Sequence, residues 1–280
     1  MSRNNPERTG AREGADVPPS EVTKTLQFVT PTEFVELPSR GKGYPEGHPL
    51  NGEEVIEIRF MTAKDEDILS SQTLLKKGLA IERFMQNIIV NKKIKSHSLM
   101  VGDRNAIIIA ARKSGYGADY ETKVACPSCG ETSPVVFDLN NPQIKESELS
   151  NEFGISETNQ GTFVVTPPLS GFQVELRILT GQEELNLAEK MKNRKRKKLQ
   201  EALISDQLKL MIVSVEGSED RSTVNMYVNN MPTQDSRYLR QAYKAISPDV
   251  RVTDDFECNS CGHEQELEVS FGADFFWPDR

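Results

Sequence analysis

Histidine occurs only three times in 280 residues, as His48, His97 and His263. The chain therefore carries little of the side chain that most readily moves protons near neutral pH. No Gly-x-Ser-x-Gly nucleophile elbow and no phosphate-binding loop occur. "GKGYPEG" is glycine-rich but lacks the Lys-Ser/Thr end and the helix that a phosphate loop needs, so it reads as a turn. Acidic pairs such as Asp254 and Asp255 are too common to mark an acid–base site. No apolar run approaches the length of a membrane span. The opening "MSRNNPERTGAREGADVPPSEVTK" has no apolar centre, so no secretory signal is expected, and residues 1–25 read as a disordered polar tail. A cationic excess is missing too. Lys and Arg number 34 against 42 Asp and Glu, a formal charge of −8 that argues against a general nucleic-acid binder. These absences predict a protein that is not an enzyme and takes no small-molecule substrate.

A hydrophobic content of 36% with 27% charged residues is enough for a core in one or two domains. The four cysteines carry the strongest motif. They fall in "ACPSCG" and "ECNSCG" as Cys126, Cys129, Cys258 and Cys261. Both pairs are Cys-x-x-Cys-Gly, a spacing that turns two sulfurs of one knuckle toward one ion. Gly130 and Gly262 tolerate positive φ and let backbone N–H groups face the sulfurs. Strand-like flanks, "YETKVAC" with "SPVVFDL" and "VTDDFEC" with "QELEVSF", make each knuckle a hairpin tip. In a reducing cytoplasm such cysteines favour metal over disulfide. Four thiolates suit tetrahedral zinc, with iron as the alternative, and such a closed site is structural. His263 is an exposed or outer neighbour of the second knuckle on this reading.

The two knuckles lie 132 residues apart, and that offset carries Asp103 onto Asp235, Ile107 onto Leu239, Ala110 onto Ala242 and Val124 onto Phe256. Further upstream "IEIRFMTAKDEDIL" resembles "VELRILTGQEELNL", aligning Arg59 with Arg177, Thr62 with Thr180 and Glu66 with Glu184. "LPSRG" at 37–41 echoes "PLSG" at 168–171 weakly. The pattern predicts an α+β fold of two pseudo-repeated modules. Each runs strand, helices, cysteine-knuckle hairpin, and a shared zinc-ribbon-like site of four cysteines joins them. The first module spans 26–140, a linker 141–160, and the second module, with a helical arm, 161–280.

Thr62 and Thr180 are placed to cap helices, the latter with Glu183 completing a capping box. Gly78 is expected to break the first helical stretch before an apolar-faced helix at 79–90. Asp103 and Asp235 fall at the starts of the last helix of each module, where capping is the expected role. "KNRKRKK" at 192–198 is the most basic run. Lys195, Arg196, Lys197 and Lys198 there are candidates for contact with an acidic partner or a phosphate polymer, against a solvated helix face. Phe275, Phe276 and Trp277 near the C-terminus either dock the tail on the core or anchor a partner.

Several segments together resemble the T4-type bacteriophage baseplate hub proteins, which include hub subunits and hub assembly proteins. They are "LPSRGKGYP", "MTAKDEDIL", "GDRNAIIIAARKSGYGADY" running into "VACPSCG", "NNMPTQDSRYLR", and "FECNSCGHEQELEV" followed by "FFWP". Together they cover roughly residues 34–278. The resemblance implies a non-enzymatic structural or assembly role in a contractile-tail baseplate. Its partners would be other baseplate or tail proteins. It would act in the host cytoplasm during assembly or in the virion's tail. The metal site rests on this chain's cysteines alone. A second reading from another class stays open: a zinc-ribbon nucleic-acid-binding regulator that uses the 192–198 run.

Overall fold

A computed structural model describes residues 30–146, 153–196 and 203–277, so the expected tail at 1–25 lies outside the described residues. Strands β1 (Thr32–Glu36) and β2 (Val55–Arg59) pair antiparallel, with Val35 opposite Ile56. Alternation turns Val35, Ile56 and Ile58 into the core while Phe34 faces out. Helices α1 (Ala63–Ser70), α2 (Gln72–Lys76) and α3 (Ala80–Ile88) follow, and Gly78, at φ 67°, makes the break before α3. The apolar face of α3 buries Ile81, Phe84, Met85 and Ile88. A 3-10 turn at Ser96–Ser98 precedes the 16-residue α4 (Val101–Tyr116). The hairpin of β3 (Asp119–Ala125) and β4 (Thr132–Asp138) comes next, then β5 (Gln143–Lys145).

The rest of the described chain resumes with β6 (Ser156–Glu157), β7 (Phe163–Val165) and β8 (Val174–Leu176). Helices α5 (Gly181–Arg196) and α6 (Leu203–Met211) lead to β9 (Ile212–Val215), which closes an antiparallel sheet of order β6-β7-β8-β9. Helices α7 (Arg221–Asn230) and α8 (Thr233–Ile246), strand β10 (Asp249–Arg251) and the hairpin of β11 (Thr253–Glu257) and β12 (Glu264–Glu268) complete it. Helices and antiparallel sheets make this an α+β fold.

The same local device starts two helices. At α1, Asp65 accepts from the Thr62 N–H (2.9 Å) and hydroxyl (2.7 Å) and pairs with Arg59. At α5, Glu183 accepts from the Thr180 N–H (3.0 Å) and hydroxyl (3.2 Å) and pairs with Arg177. Each acid satisfies an orphan donor and complements the helix dipole. Asp65 also accepts from Asn87 on α3, at 2.7 Å.

From Pro31 on, the chain is one compact unit, and one hydrophobic cluster draws side chains from both expected modules. Three contacts show how tightly the halves interlock. β5, in the expected linker, pairs with β10, Val250 opposite Ile144. The C-terminal 3-10 turn Ala273–Phe276 inserts Phe275 against Tyr120 of β3 (4.8 Å between ring centroids) and Phe276 edge-on to Phe84 of α3 (5.0 Å). Gly102, in the first turn of α4, lies against the backbone of Pro248, where a Cβ would come within 2.4 Å of the carbonyl oxygen. Helix propensity alone favours alanine over glycine by about 1 kcal/mol. The Pro248 backbone cannot yield as a side chain can, so Gly102→Ala is expected to destabilise by about 1–3 kcal/mol in urea titration. A stabilised variant would mean that α4 does not pack this closely on Pro248.

Candidate metal centre

Each knuckle is built the same way. The Cys126 N–H bonds the Glu131 carbonyl at 2.8 Å and the Gly130 N–H bonds the Cys126 carbonyl at 2.8 Å. In the second, the Cys258 N–H bonds the His263 carbonyl at 2.9 Å and the Gly262 N–H bonds the Cys258 carbonyl at 2.8 Å. Gly130 and Gly262 hold φ of 76° and 67°, the left-handed region in which a side chain would strain the turn. The tips meet so that all four sulfurs lie within 4.8 Å of one another, with Cys126–Cys261 at 3.7 Å and Cys129–Cys258 at 3.6 Å. Sulfur–zinc bonds of about 2.3 Å in a tetrahedron place sulfurs about 3.8 Å apart, so one such ion fits between them.

The sulfurs differ in setting. Cys126 and Cys258 are buried, Cys129 and Cys261 exposed. N–H groups of Cys129 and Ser128 aimed at Cys126 draw its thiol down to about 6. At Cys129 the N–H of Glu131 pulls the thiol down, but the Cys261 sulfur, desolvation and the sulfurs of Cys258 and Cys126 together push it up, to about 12. Four sulfurs this close cannot all be anionic without a cation among them.

Among the described residues little else packs at the tips. Beneath the sulfurs Phe256 joins Cys126 and Cys258 in a small cluster separate from the main core, with Val135 and Leu267 against it. The outer face of β11–β12 sets Asp255 opposite Glu266 and Glu257 opposite Glu264, all exposed. Directly opposed like charges destabilise a strand pair. Two-stranded hairpins are marginal in water, so a cation at the tips would contribute stability the side chains do not supply.

Asp103 and Asp235 do not cap their helices, contrary to the capping expected of them. Both occupy the third helical position, and the caps ahead of them, Met100 and Pro232, make no side-chain cap bond. Asp103 instead accepts from the Ser39 N–H (3.0 Å), the Ser39 hydroxyl (2.7 Å) and the Tyr44 hydroxyl (2.7 Å). Asp235 accepts from the N–H groups of Leu169 (3.1 Å) and Ser170 (2.8 Å). Both carboxylates are 0% exposed. Each pins a preceding loop onto its helix. Burial pushes the Asp103 carboxyl up, against the pull of Ser39 and Tyr44. Burial and the adjacent carboxylate push the Tyr44 phenol well up. Ser39 and Tyr44 carried no functional signal in the sequence. Tyr44 sits in the glycine-rich turn, and the one hint was the echo between "LPSRG" and "PLSG".

The basic run lies at the end of α5. Arg194 within it turns back to pair with Asp206 of α6 at 3.0 Å, and Lys190 reaches the same carboxylate at 3.2 Å. Arg196 is exposed. Lys197, Lys198 and the side chain of Lys195 lie outside the described residues. Phe275 and Phe276, candidates for a partner anchor, are core side chains at 1% and 2% exposure, which leaves them no free face, and Trp277 is half-buried. No helix among the described residues is long and apolar enough to cross a membrane.

The family model described as T4 bacteriophage base plate protein matches residues 30–277. No curated protein and no solved structure matches the chain.

Proposed function

The chain belongs to the T4 bacteriophage base plate protein family, and from that premise we propose that it is a non-enzymatic structural or assembly subunit of the hub of a contractile-tail baseplate, clasped by one structural zinc ion. The family match over residues 30–277 carries the baseplate role. The hub follows from the resemblance of segments such as "LPSRGKGYP" and "NNMPTQDSRYLR". The partners are other baseplate or tail proteins, met in the host cytoplasm during assembly or retained in the virion's tail.

Zinc in a zinc-ribbon-like site accounts for four cysteine sulfurs within 4.8 Å of one another at two matching knuckles. With four thiolates the coordination is filled, so the ion's part is to hold the two hairpins together. It would supply cross-linking in place of an enlarged core. Duplication of one module accounts for the paired devices: Arg59–Asp65 with Arg177–Glu183, and Ser39–Asp103 with Ser170–Asp235. The modules are then 26–140 and 161–280, joined through 141–160. Arg194 spends its charge on Asp206, and the net charge is −8, so the nucleic-acid regulator is the weaker reading.

Two measurements test this. Elemental analysis of purified protein is expected to return about one zinc per chain. A metal-free protein with four freely titratable thiols would remove the clasp, and a red protein would replace zinc with iron. Mass spectrometry of mature virions beside tail-assembly intermediates is expected to find the chain in at least one of them. Absence from both, with normal tails built without it, would remove the baseplate role.

A further inference from the structure

We propose that the four cysteines are also an oxidation site, at which a peroxide exchanges the metal clasp for two disulfides across the hairpins, Cys126–Cys261 and Cys129–Cys258. The inference rests on the clustered thiolates of the metal reading. The short sulfur contacts, 3.7 Å for Cys126–Cys261 and 3.6 Å for Cys129–Cys258, both run from one hairpin to the other. A disulfide needs about 2.05 Å, so each pair must close by about 1.6 Å. The pairs share one asymmetry: each joins an exposed sulfur, Cys261 or Cys129, to a buried one, Cys126 or Cys258. Peroxide reaches the exposed member first, and the buried member lies beside it to resolve the product.

The chemistry balances with one peroxide per disulfide. The exposed thiolate attacks a peroxide oxygen, the O–O bond breaks, and sulfenic acid and hydroxide form. The buried thiolate then attacks the sulfenic sulfur, the S–O bond breaks, and a second hydroxide leaves as the S–S bond forms. Two electrons pass from the sulfurs to the peroxide. Each disulfide withdraws two anionic ligands, so the ion is released.

The direction of pairing decides the consequence. A disulfide inside one knuckle would uncouple the hairpins. The cross pairs join positions 135 and 129 residues apart, closing the same long loop that the metal closes. Oxidation would thus turn a clasp that a chelator can remove into one that it cannot. That suits a subunit built in a reducing cell and carried outside it.

The test treats the metal-loaded full chain with hydrogen peroxide and follows metal release with a metallochromic dye. Alkylation and non-reducing peptide mass spectrometry then locate the links. The expected result is release of the bound metal, with the peptide holding Cys126 and Cys129 linked to the one holding Cys258 and Cys261. The oxidised protein should keep its melting temperature in chelator, where the reduced protein loses it. Knuckles closed on themselves, or sulfinic and sulfonic acids without cross-links, overturn the proposal. The double variant C126S/C261S leaves Cys129 and Cys258, which should still link, and the wild-type peptide map stands if that variant does not fold. Cross-links formed in a protein that releases no metal would uphold the oxidation site and its pairing while removing the zinc reading and, with it, the exchange. Metal release without cross-links would do the reverse.

Discussion

Chelating the proposed zinc from the reduced protein is expected to open the tips of the two cysteine hairpins and to cost more stability than any single core substitution. Binding energy at a structural zinc site is about 10 kcal/mol or more, and it counts as folding energy wherever the unfolded chain has no preformed site. Among the described residues the tips have little to replace it: Phe256 with two cysteine side chains beneath them, and opposed carboxylates on the outer face of β11–β12. The loss should be local. Amide exchange should rise at the tip ends of β3–β4 and β11–β12, while β1, β2, α3 and the base of β3–β4, where Tyr120 and Phe137 join the main core, keep their protection. Cys258→Ser should reproduce the effect of chelator, because it removes one ligand and leaves three thiolates crowded. Lower pH weakens the clasp, since protons compete with metal for thiolate, so the stability difference between loaded and stripped protein should shrink as pH falls. Hairpin amides that stay protected in chelator would show that the clasp is not what holds these strands.

Asp103→Ala is expected to destabilise the protein by about 3–5 kcal/mol in urea or thermal unfolding. The substitution leaves three donors without their acceptor in a dry site: the Ser39 N–H, the Ser39 hydroxyl and the Tyr44 hydroxyl. Asp235→Ala should cost less, about 1–3 kcal/mol, because its two donors sit in a part-buried loop that water can reach. Were these carboxylates merely first-turn acids facing the helix dipole, each change would cost only about 0.3–1 kcal/mol, so the measured size separates the two roles. The pH dependence has a definite sign. The folded Asp103 carboxyl titrates above its ordinary value of 3.8. Between that value and the raised one the folded state binds the extra proton, so this group's contribution falls as pH rises through the window. Asp103→Asn should flatten that part of the stability profile.

The helix starts were legible because they depend on neighbours a few residues apart. Thr180 with Glu183 makes the expected contact, and Thr62, expected to cap, makes the same one with Asp65. The knuckles were legible for the same reason, since Cys-x-x-Cys-Gly fixes its own turn. The roles of Asp103 and Asp235 were not. A first-turn acid is locally indistinguishable from a capping one, and the deciding partner of Asp103 lies 64 residues away at Ser39. Nor could residue type alone choose between the two fates of Phe275 and Phe276, because an aromatic pair serves a core or a partner equally well. Here Tyr120 and Phe84 enclose them.

The sequence by itself determined the donor set for a metal, four cysteines and no more, and the absence of a cationic excess. It also determined the α+β pattern of periodicities, because strand alternation, helix caps and knuckle turns are short-range chemistry. Only the tertiary structure decided that the four sulfurs converge within 4.8 Å. It likewise decided that Gly102 must stay bare against Pro248, and that the buried acids hold loops instead of capping helices. Those outcomes depend on which distant surfaces meet when the chain buries its apolar area. A burial that excludes water raises the worth of one hydrogen bond well above any local preference.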